Sequence, residues 1–201
     1  LVLALLSGSA WAQATIYTSY SFINGTDTGD DYPRNLVDND KSSRWLVLQQ
    51  STFANRPAYC QFQSAEPITP VSYVITPGTD SQEYSRRIPK SWRIEASTDN
   101  YNWVTLATFT DHDNVLAGDM AEEEFFFEDP NKTAYQYFKF VVTDIQGTTP
   151  ESEGWWAMQL NEFQFKVVPN SGIASLTVCD DTEINSNIPM CGINFDEYTK
   201  S

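Results

Sequence analysis

Two aspartates and a serine lie close together in residues 35–45, where Asp38 and Asp40 are two positions apart and Ser43 follows them. A hard cation such as Ca²⁺ gathers carboxylate, hydroxyl and carbonyl oxygens, about six to eight of them at roughly 2.3–2.6 Å. The same composition is typical of an ordinary surface turn, because Asn, Asp and Ser side chains bond to the nearby backbone. Taken alone, this stretch therefore predicts either an Asx-rich turn or part of a calcium site.

Other catalytic and metal-binding chemistries find little support in the sequence. His112 is the single histidine, so neither a Cys–His nucleophilic pair nor a His/Cys zinc site can be assembled. The sequence contains no phosphate-binding loop and no nucleophile or metal-hydrolase motif. Its 27 Asp and Glu residues make chance carboxylate pairs uninformative about acid–base catalysis. We expect no enzyme within this chain, while a glycoside hydrolase remains compatible as its parent protein.

The charge of the chain restricts the partners that it can bind. The formal net charge is −15, and aromatic residues make up 14% of the sequence. Binding to nucleic acid requires clustered Lys and Arg that neutralise phosphates, and attraction to anionic lipid requires the same. We therefore expect no nucleic-acid partner, and membrane binding is disfavoured. An acidic, aromatic-rich chain suits neutral ligands and divalent cations better.

The chain divides into three parts by composition. Residues 1–14 join a short apolar run to an Ala-Gln-Ala ending, which predicts a signal peptide and a secreted or cell-surface protein. Residues 15–168 have the length and patterning of one domain. We expect residues 169–201 to be a linker and the start of a truncated further region. The domain is thus predicted to be a monomeric module within a larger chain.

The three cysteines fall into two classes. Cys179 and Cys191 lie twelve positions apart in a loop-rich tail and would be able to pair in an oxidising compartment, which the sequence leaves open. Cys60 lies in an alternating segment and is predicted to be a small buried hydrophobe on a strand.

Short segments of alternating apolar and polar residues recur along the domain. The clearest are residues 71–77, 91–96, 137–142 and 162–167, and turns rich in Pro, Gly and Asx separate them. No stretch shows a sustained helical period of apolar residues. This pattern predicts an all-β fold, an eight-stranded antiparallel jelly-roll β-sandwich.

Three motifs resemble those of discoidin, or coagulation factor V/VIII type C, domains, a group that includes the family 32 carbohydrate-binding modules. The first is residues 33–45, which end in Asp-Asn-Asp-Lys-Ser-Ser-Arg-Trp. The second is residues 89–103, which resemble the family's central hairpin, with Asn100 where glycine is usual. The third consists of two closing strands, residues 137–142 and 160–163. The resemblance implies a galactose-binding-like sandwich over residues 15–168.

The resemblance also implies one structural cation between the first loop and the last strand. Asp38 and Glu162 would then supply carboxylate oxygens. The remaining ligands would be backbone carbonyls and one hydroxyl or carbonyl, from Asn35, Asp40, Asn161 and Ser43. Six ligands suit Ca²⁺, and an ion-free polar network is the alternative.

Members of this group bind ligands through variable loops at one end of the sandwich, which here implies a glycan or glycoprotein partner. Sugars bind by stacking on an aromatic ring and by polar contacts to their hydroxyls. The candidate residues are Trp155, Trp156, Tyr84, Arg86, Arg87 and Asn55, with Arg56 beside Asn55. Trp155 is predicted to face solvent and Trp156 the core. For each of the other candidates taken singly, a solvated loop is the favoured alternative, and Arg87 has structural pairing as a further one.

Two features leave the ligand open. Galactose-binding members usually carry an arginine at the position of Gly78, so galactose specificity is disfavoured. The alternative function is a protein–protein adhesion or spacer module that does not bind sugar. Such a module would lack a concave aromatic pocket at its surface.

Overall fold

The computed structural model describes residues 13–29, 31–110, 113–127 and 133–168. Eleven β-strands form within these residues. In chain order they are β1 Thr15–Ile16, β2 Tyr20–Gly25, β3 Trp45–Gln49, β4 Ala58–Ile68, β5 Pro70–Thr76, β6 Pro89–Ser97, β7 Val104–Thr110, β8 Glu123–Phe126, β9 Tyr135–Ile145, β10 Trp156–Leu160 and β11 Glu162–Val167. Three short 3₁₀ helices, Pro33–Val37, Ser85–Arg87 and Val115–Ala117, lie in the connections.

The strands form three antiparallel sheets. One has five strands in the order β2-β4-β9-β6-β7, and another has four in the order β1-β11-β5-β8. The third is the pair β10-β3. Because only Asn161 separates β10 from β11, the two-stranded sheet continues into the four-stranded one along the chain. The predicted all-β antiparallel fold is therefore confirmed, with eleven strands in the described residues where eight were expected, because short strands such as β1 and β10 add to the count.

A core of aromatic side chains fills the space between the sheets. Every second residue of the central strands is apolar and buried, as the period of two in a half-buried strand requires. Phe62, Phe138, Phe163 and Phe165 are fully buried and in mutual ring contact, with centroids 4.7 to 6.2 Å apart. Burial of this apolar area is the main stabilising term, at roughly 25 cal/mol per Å².

Cys60 is buried in β4, as predicted, and its thiol donates to the carbonyl of Pro33 at 3.1 Å. One strand is not predicted by its sequence. Trp156 was expected in a loop, but it begins β10, which pairs with β3 along its whole length. Residues 157–160 of β10 are buried on both faces, so no apolar–polar alternation marks the strand.

Several parts of the predicted organisation lie outside the described residues. These are residues 1–12 of the expected signal peptide and the whole of residues 169–201, with Cys179 and Cys191. Within the described ranges, no helix has the length and apolar character needed to cross a membrane.

Candidate functional site

Residues 35–45 form a compact loop whose oxygens converge on one hydroxyl. Oγ of Ser43 lies 2.9 Å from the carbonyl oxygen of Asp40 and 3.3 Å from that of Asn35. It also lies 3.0 and 3.2 Å from the two carboxylate oxygens of Asp38. A hydroxyl has one proton and can donate to only one of these acceptors. The loop therefore concentrates more oxygen atoms than its own hydrogen bonds can satisfy.

The conformation of this loop is fixed by local bonds. The backbone N–H of Asp40 donates to Asp38 Oδ1 at 2.8 Å, and Asn39 adopts a left-handed φ of 64° between them. The side chain of Asp40 is engaged by the N–H and hydroxyl of Ser42. The carbonyl of Asp40 accepts from the N–H of Ser43 at 3.0 Å and lies 2.9 Å from the Ser43 hydroxyl, and the ligand role expected for it stays a prediction.

Glu162, the first residue of β11, is distant from this loop in the sequence but lies close enough for its carboxylate to interact with Asp38. It is 0% exposed, and neither carboxylate oxygen accepts a hydrogen bond from any described residue. Burial, and then the nearby Asp38 carboxylate, raise the pKa of Glu162 to about 8. The backbone N–H groups of Phe163 and Asn39 lower the pKa of Glu162, although neither forms a hydrogen bond to its carboxylate. A buried carboxylate without a partner is costly, and a divalent cation would remove that cost.

Asn161 holds the same junction against the loop. Its Nδ2 donates to the carbonyl of Lys41 at 2.8 Å, and its N–H donates to the carbonyl of Thr76 at 3.0 Å. Its side-chain oxygen is buried and has no partner among the described residues. The unpartnered oxygen of Asn161 is its side-chain Oδ1, whereas the ligand expected from the sequence was its backbone carbonyl, and the cation itself stays a prediction.

The six residues expected to hold Ca²⁺ are therefore brought together. Only Asp38 and Glu162 contribute carboxylates, and the described part of the chain contains no cluster of three or more His, Cys, Asp or Glu side chains suited to a metal ion. A cation here would depend on backbone carbonyls and a hydroxyl for its other ligands. That donor set suits a hard cation such as Ca²⁺ and not a zinc-type ion.

A second group of residues lies at one end of the sandwich, here called the loop end. It comprises three connections, residues 50–57, 77–88 and 146–155. The last two are joined by backbone bonds from Gly147 to Arg86 and from Gln146 to Ile88, of 2.8 and 2.9 Å. The first is joined to the third because β3 pairs with β10 just where both loops meet these strands.

Arg86 and Arg87 act as internal clamps of the loop end. Arg87 makes a bidentate pair with the carboxylate of Glu151 at 2.8 and 2.9 Å, which raises the pKa of its guanidinium. Its guanidinium also lies 4.0 Å above the ring of Tyr84. Arg86 donates to the carbonyl and hydroxyl of Thr149 at 2.5 and 2.6 Å. The structural alternative stated for Arg87 thus describes both arginines.

Trp155 is the exposed aromatic residue of the loop end. A tight turn precedes it, with left-handed φ values of 46° at Glu153 and 82° at Gly154. The N–H of Trp155 donates to Ser152 at 2.7 Å, and its carbonyl accepts from Glu151 at 2.8 Å. The side chain is 39% exposed, whereas Trp156 is half-buried against the core, as predicted.

Leu48 is a second exposed apolar residue of the β3–β10 pair. It lies opposite the buried Ala157 and is 38% exposed. Trp155 directly precedes β10, so both exposed apolar residues belong to this strand pair or its entry. Sequence reasoning missed Leu48 because the register of β3 against β10 was unknown.

A polar network that the sequence did not reveal joins the loop of residues 35–45 to the loop end. Arg44 contacts Asp31 at 2.9 Å and Asp80 at 3.7 Å. Gln159 donates to Asp80 at 2.7 Å and accepts from Arg87 at 3.4 Å. Directly bonded members are separated by up to 79 positions in the chain, so no local pattern marks them.

Gly78 lies against this network. A Cβ atom at this position would lie 2.7 Å from Nε2 of Gln159 and 3.2 Å from Oδ1 of Asp80. A larger side chain therefore requires the pair of Gln159 and Asp80 to move. The glycine at position 78, where galactose-binding members usually carry arginine, thus fits the close packing of Gln159 and Asp80 at the loop end.

Solved structures with this fold include several modules of carbohydrate-active proteins. The chain is similar to CBM32-3 of a family 31 glycoside hydrolase from Clostridium perfringens, with 21% identity, a TM-score of 0.60, and coverage of 77% of this chain and 94% of that one. It is similar to an F5/8 type C domain from Bacteroides fragilis, with 12% identity, a TM-score of 0.56, and coverage of 79% and 98%. A family 32 carbohydrate-binding module of C. perfringens NanJ, in complex with galactose, gives 15% identity, a TM-score of 0.52, and coverage of 77% and 99%.

No curated protein matches this chain. The model of the F5/8 type C domain family, in contrast, matches residues 15–162, which is most of the sequence and nearly all of the sandwich. This range includes the loop of residues 35–45 and the Asn161–Glu162 junction that meets it. The chain therefore belongs to the F5/8 type C domain family.

Proposed function

We propose that this domain is a non-catalytic glycan-binding module of a secreted or cell-surface protein, with a structural calcium ion. The observation that carries the proposal is the exposed ring of Trp155, which a hydrogen-bonded turn holds at the start of the strand pair that also exposes Leu48. The galactose bound to the NanJ module, a protein of the same fold, supports a glycan as the ligand class.

The loop end supplies the two kinds of contact that a sugar needs. An aromatic ring can stack on the apolar face of a pyranose, while neighbouring polar groups bond to its hydroxyls. The clamps from Arg86 to Thr149 and from Arg87 to Glu151 fix the loops in advance. Little conformational entropy is then lost when a ligand binds, which favours affinity.

Calcium would stabilise the fold of this module and would take no part in catalysis. Asp38 and Glu162 would hold it with their carboxylates, and Asn35, Asp40, Ser43 and Asn161 would complete its ligands. The ion would neutralise two facing carboxylates and tie residues 35–45 to the start of β11. Support comes from the orphaned oxygens of Glu162 and Asn161.

A glycan array tests the proposal directly. The wild-type domain is expected to bind at least one class of oligosaccharide, and Trp155→Ala to lose tenfold or more of that affinity. Tyr101→Ala is the matched control, because Tyr101 is 86% exposed on the β6–β7 turn, away from the loop end. Equal binding by Trp155→Ala and wild type would count against the site.

One observation favours the alternative, a protein–protein adhesion module. Phe126 is 72% exposed on β8, an edge strand of the four-stranded sheet. Edge strands present unpaired backbone groups that another chain can use. If no glycan binds while Phe126→Ser abolishes self-association or capture of a defined partner, this second function replaces the first.

A further inference from the structure

The loop end carries arginines with different roles. The guanidinium groups of Arg86 and Arg87 are occupied by Thr149 and Glu151, and that of Arg44, on the adjoining strand entry, by Asp31 and Asp80. Arg56, in contrast, is exposed, and its guanidinium has no acceptor among the residues that the structure describes. Of these four arginines, it alone has all its side-chain donors available.

The loop of residues 50–57 presents Arg56 on a fixed backbone. Phe53 is 1% exposed and anchors the loop in the core. The N–H groups of Asn55 and Arg56 both donate to the carbonyl of Thr52, at 3.1 and 3.0 Å. The carbonyl of Arg56 accepts from the side chain of Gln49 at 2.9 Å. The exposed side chains of Asn55 and Arg56 thus project from a backbone that these three hydrogen bonds and one buried ring hold in place.

The charge of this loop is unusual for the chain. Residues 50–57 contain no carboxylate, although the protein carries a net charge of −15. A guanidinium presents two parallel N–H groups that match two adjacent oxygen atoms. Arg87 pairs with the carboxylate of Glu151, whereas Arg56 has no carboxylate in its own loop with which to pair.

Resting on the function proposed above, we propose that Arg56, with Asn55, forms the polar half of the ligand site, and that Arg86 and Arg87 do not contact the ligand. Trp155 and Leu48 form the apolar half. The ligand chemistry is a pair of adjacent oxygen atoms, either vicinal hydroxyls or a carboxylate, beside the apolar face of a sugar ring.

The three loop-end arginines form a matched set for a test. On an array that pairs neutral oligosaccharides with their sialylated or uronic-acid counterparts, Arg56→Ala is expected to lose tenfold or more of its affinity with an unchanged melting temperature. Arg86→Ala and Arg87→Ala are expected to lower the melting temperature. Arg93→Ala, on the outer face of the five-stranded sheet, controls for loss of one positive charge.

Arg56→Lys separates the two sources of adjacent oxygens, because lysine keeps the charge and loses the fork. Loss of affinity equal to that of Arg56→Ala indicates vicinal hydroxyls, and retention on acidic probes indicates a carboxylate. Wild-type affinity in Arg56→Ala, with affinity lost in Trp155→Ala, would overturn this inference alone. A wild-type domain that binds no probe would overturn the proposed function as well.

Discussion

Glu162 is fully buried beside the exposed Asp38, and no described residue donates a hydrogen bond to its carboxylate. The two residues are 124 positions apart in the sequence, yet their charges interact in the folded protein. Burial, and then the Asp38 carboxylate, disfavour ionisation of Glu162, whose pKa is raised to about 8, and this raises the free energy of the folded state relative to the unfolded state above the usual carboxyl pKa. A cation between them reverses the sign of this interaction.

Calcium is therefore expected to stabilise the domain. A ligand that binds only the folded state adds RT ln(1 + [L]/Kd), about 2.7 kcal/mol at a hundredfold excess over Kd. For a domain of this size, each kcal/mol shifts the melting temperature by about 2–4 °C. Thermal melts with calcium and with chelator measure the effect. Asp38→Ala should melt at one temperature in both, and an equal calcium response in wild type and variant would refute the site.

Replacing Glu162, the second carboxylate proposed to bind calcium, provides an independent test of that site. Glu162→Gln removes a buried carboxyl whose pKa is raised to about 8, and with it the loss of stability that a raised carboxyl pKa causes above the usual value; it leaves the volume of the side chain almost unchanged. In chelator the variant is expected to melt at a higher temperature than wild type, and with calcium to lose its advantage. Glu66→Gln, at an exposed carboxylate near the end of β4, is the control. A variant that is less stable than wild type in chelator would contradict the account.

Sequence periodicity was sufficient for the sandwich because its central strands are buried on one face. Trp92, Ile94 and Ala96 of β6, for example, alternate with polar residues and all point inward. β10 was missed because the loop of residues 77–88 covers its outer face, as the bond from Gln159 to Asp80 illustrates. Burial on both faces removes the period of two.

Only the part of the candidate site that lies in a sequence motif, residues 35–45, was predictable from the sequence. Residues 35–45 are a run of neighbouring residues whose oxygens gather around the Ser43 hydroxyl, while the cation that the motif implied stays a prediction. Arg86 and Arg87 look like ligand contacts in the sequence, since both lie in a polar loop. Their partners, Thr149 and Glu151, are 63 and 64 positions away. No local pattern distinguishes these clamped arginines from Arg56.

Asp99 makes the stability of the β6–β7 turn dependent on pH. Its carboxylate accepts from the N–H groups of Asn102 and Tyr101 and from the side chain of Asn102, at 2.7 to 2.9 Å. These bonds to Asn102, with that to Tyr101, hold the pKa of Asp99 well below its usual value. The folded state thus binds this proton less readily than the unfolded state does. The stabilisation is complete above the usual carboxyl pKa and is lost as pH falls through the folded value.

An NMR titration of the Asp99 carboxyl carbon measures this shift, and its midpoint is expected well below that of an exposed Asp. Asp99→Asn should unfold with a weaker dependence on pH between about 2 and 4, because the amide keeps an acceptor but cannot titrate. A normal midpoint for Asp99 would show that these bonds are absent in solution.

The packing around Gly78 is expected to prevent this domain from acquiring the galactose specificity of its relatives. Introducing the arginine of galactose-binding relatives, Gly78→Arg, is expected to lower the melting temperature without creating galactose affinity. The reason is steric, because even a Cβ would lie 2.7 Å from Nε2 of Gln159, which is held by Asp80 and Arg87. Gly78→Ala isolates this clash and should show part of the same loss. Thermal melts and galactose titration of both variants give the answer, and tight galactose binding by a stable Gly78→Arg would mean that the network of Asp80 and Gln159 yields more easily than its contacts indicate.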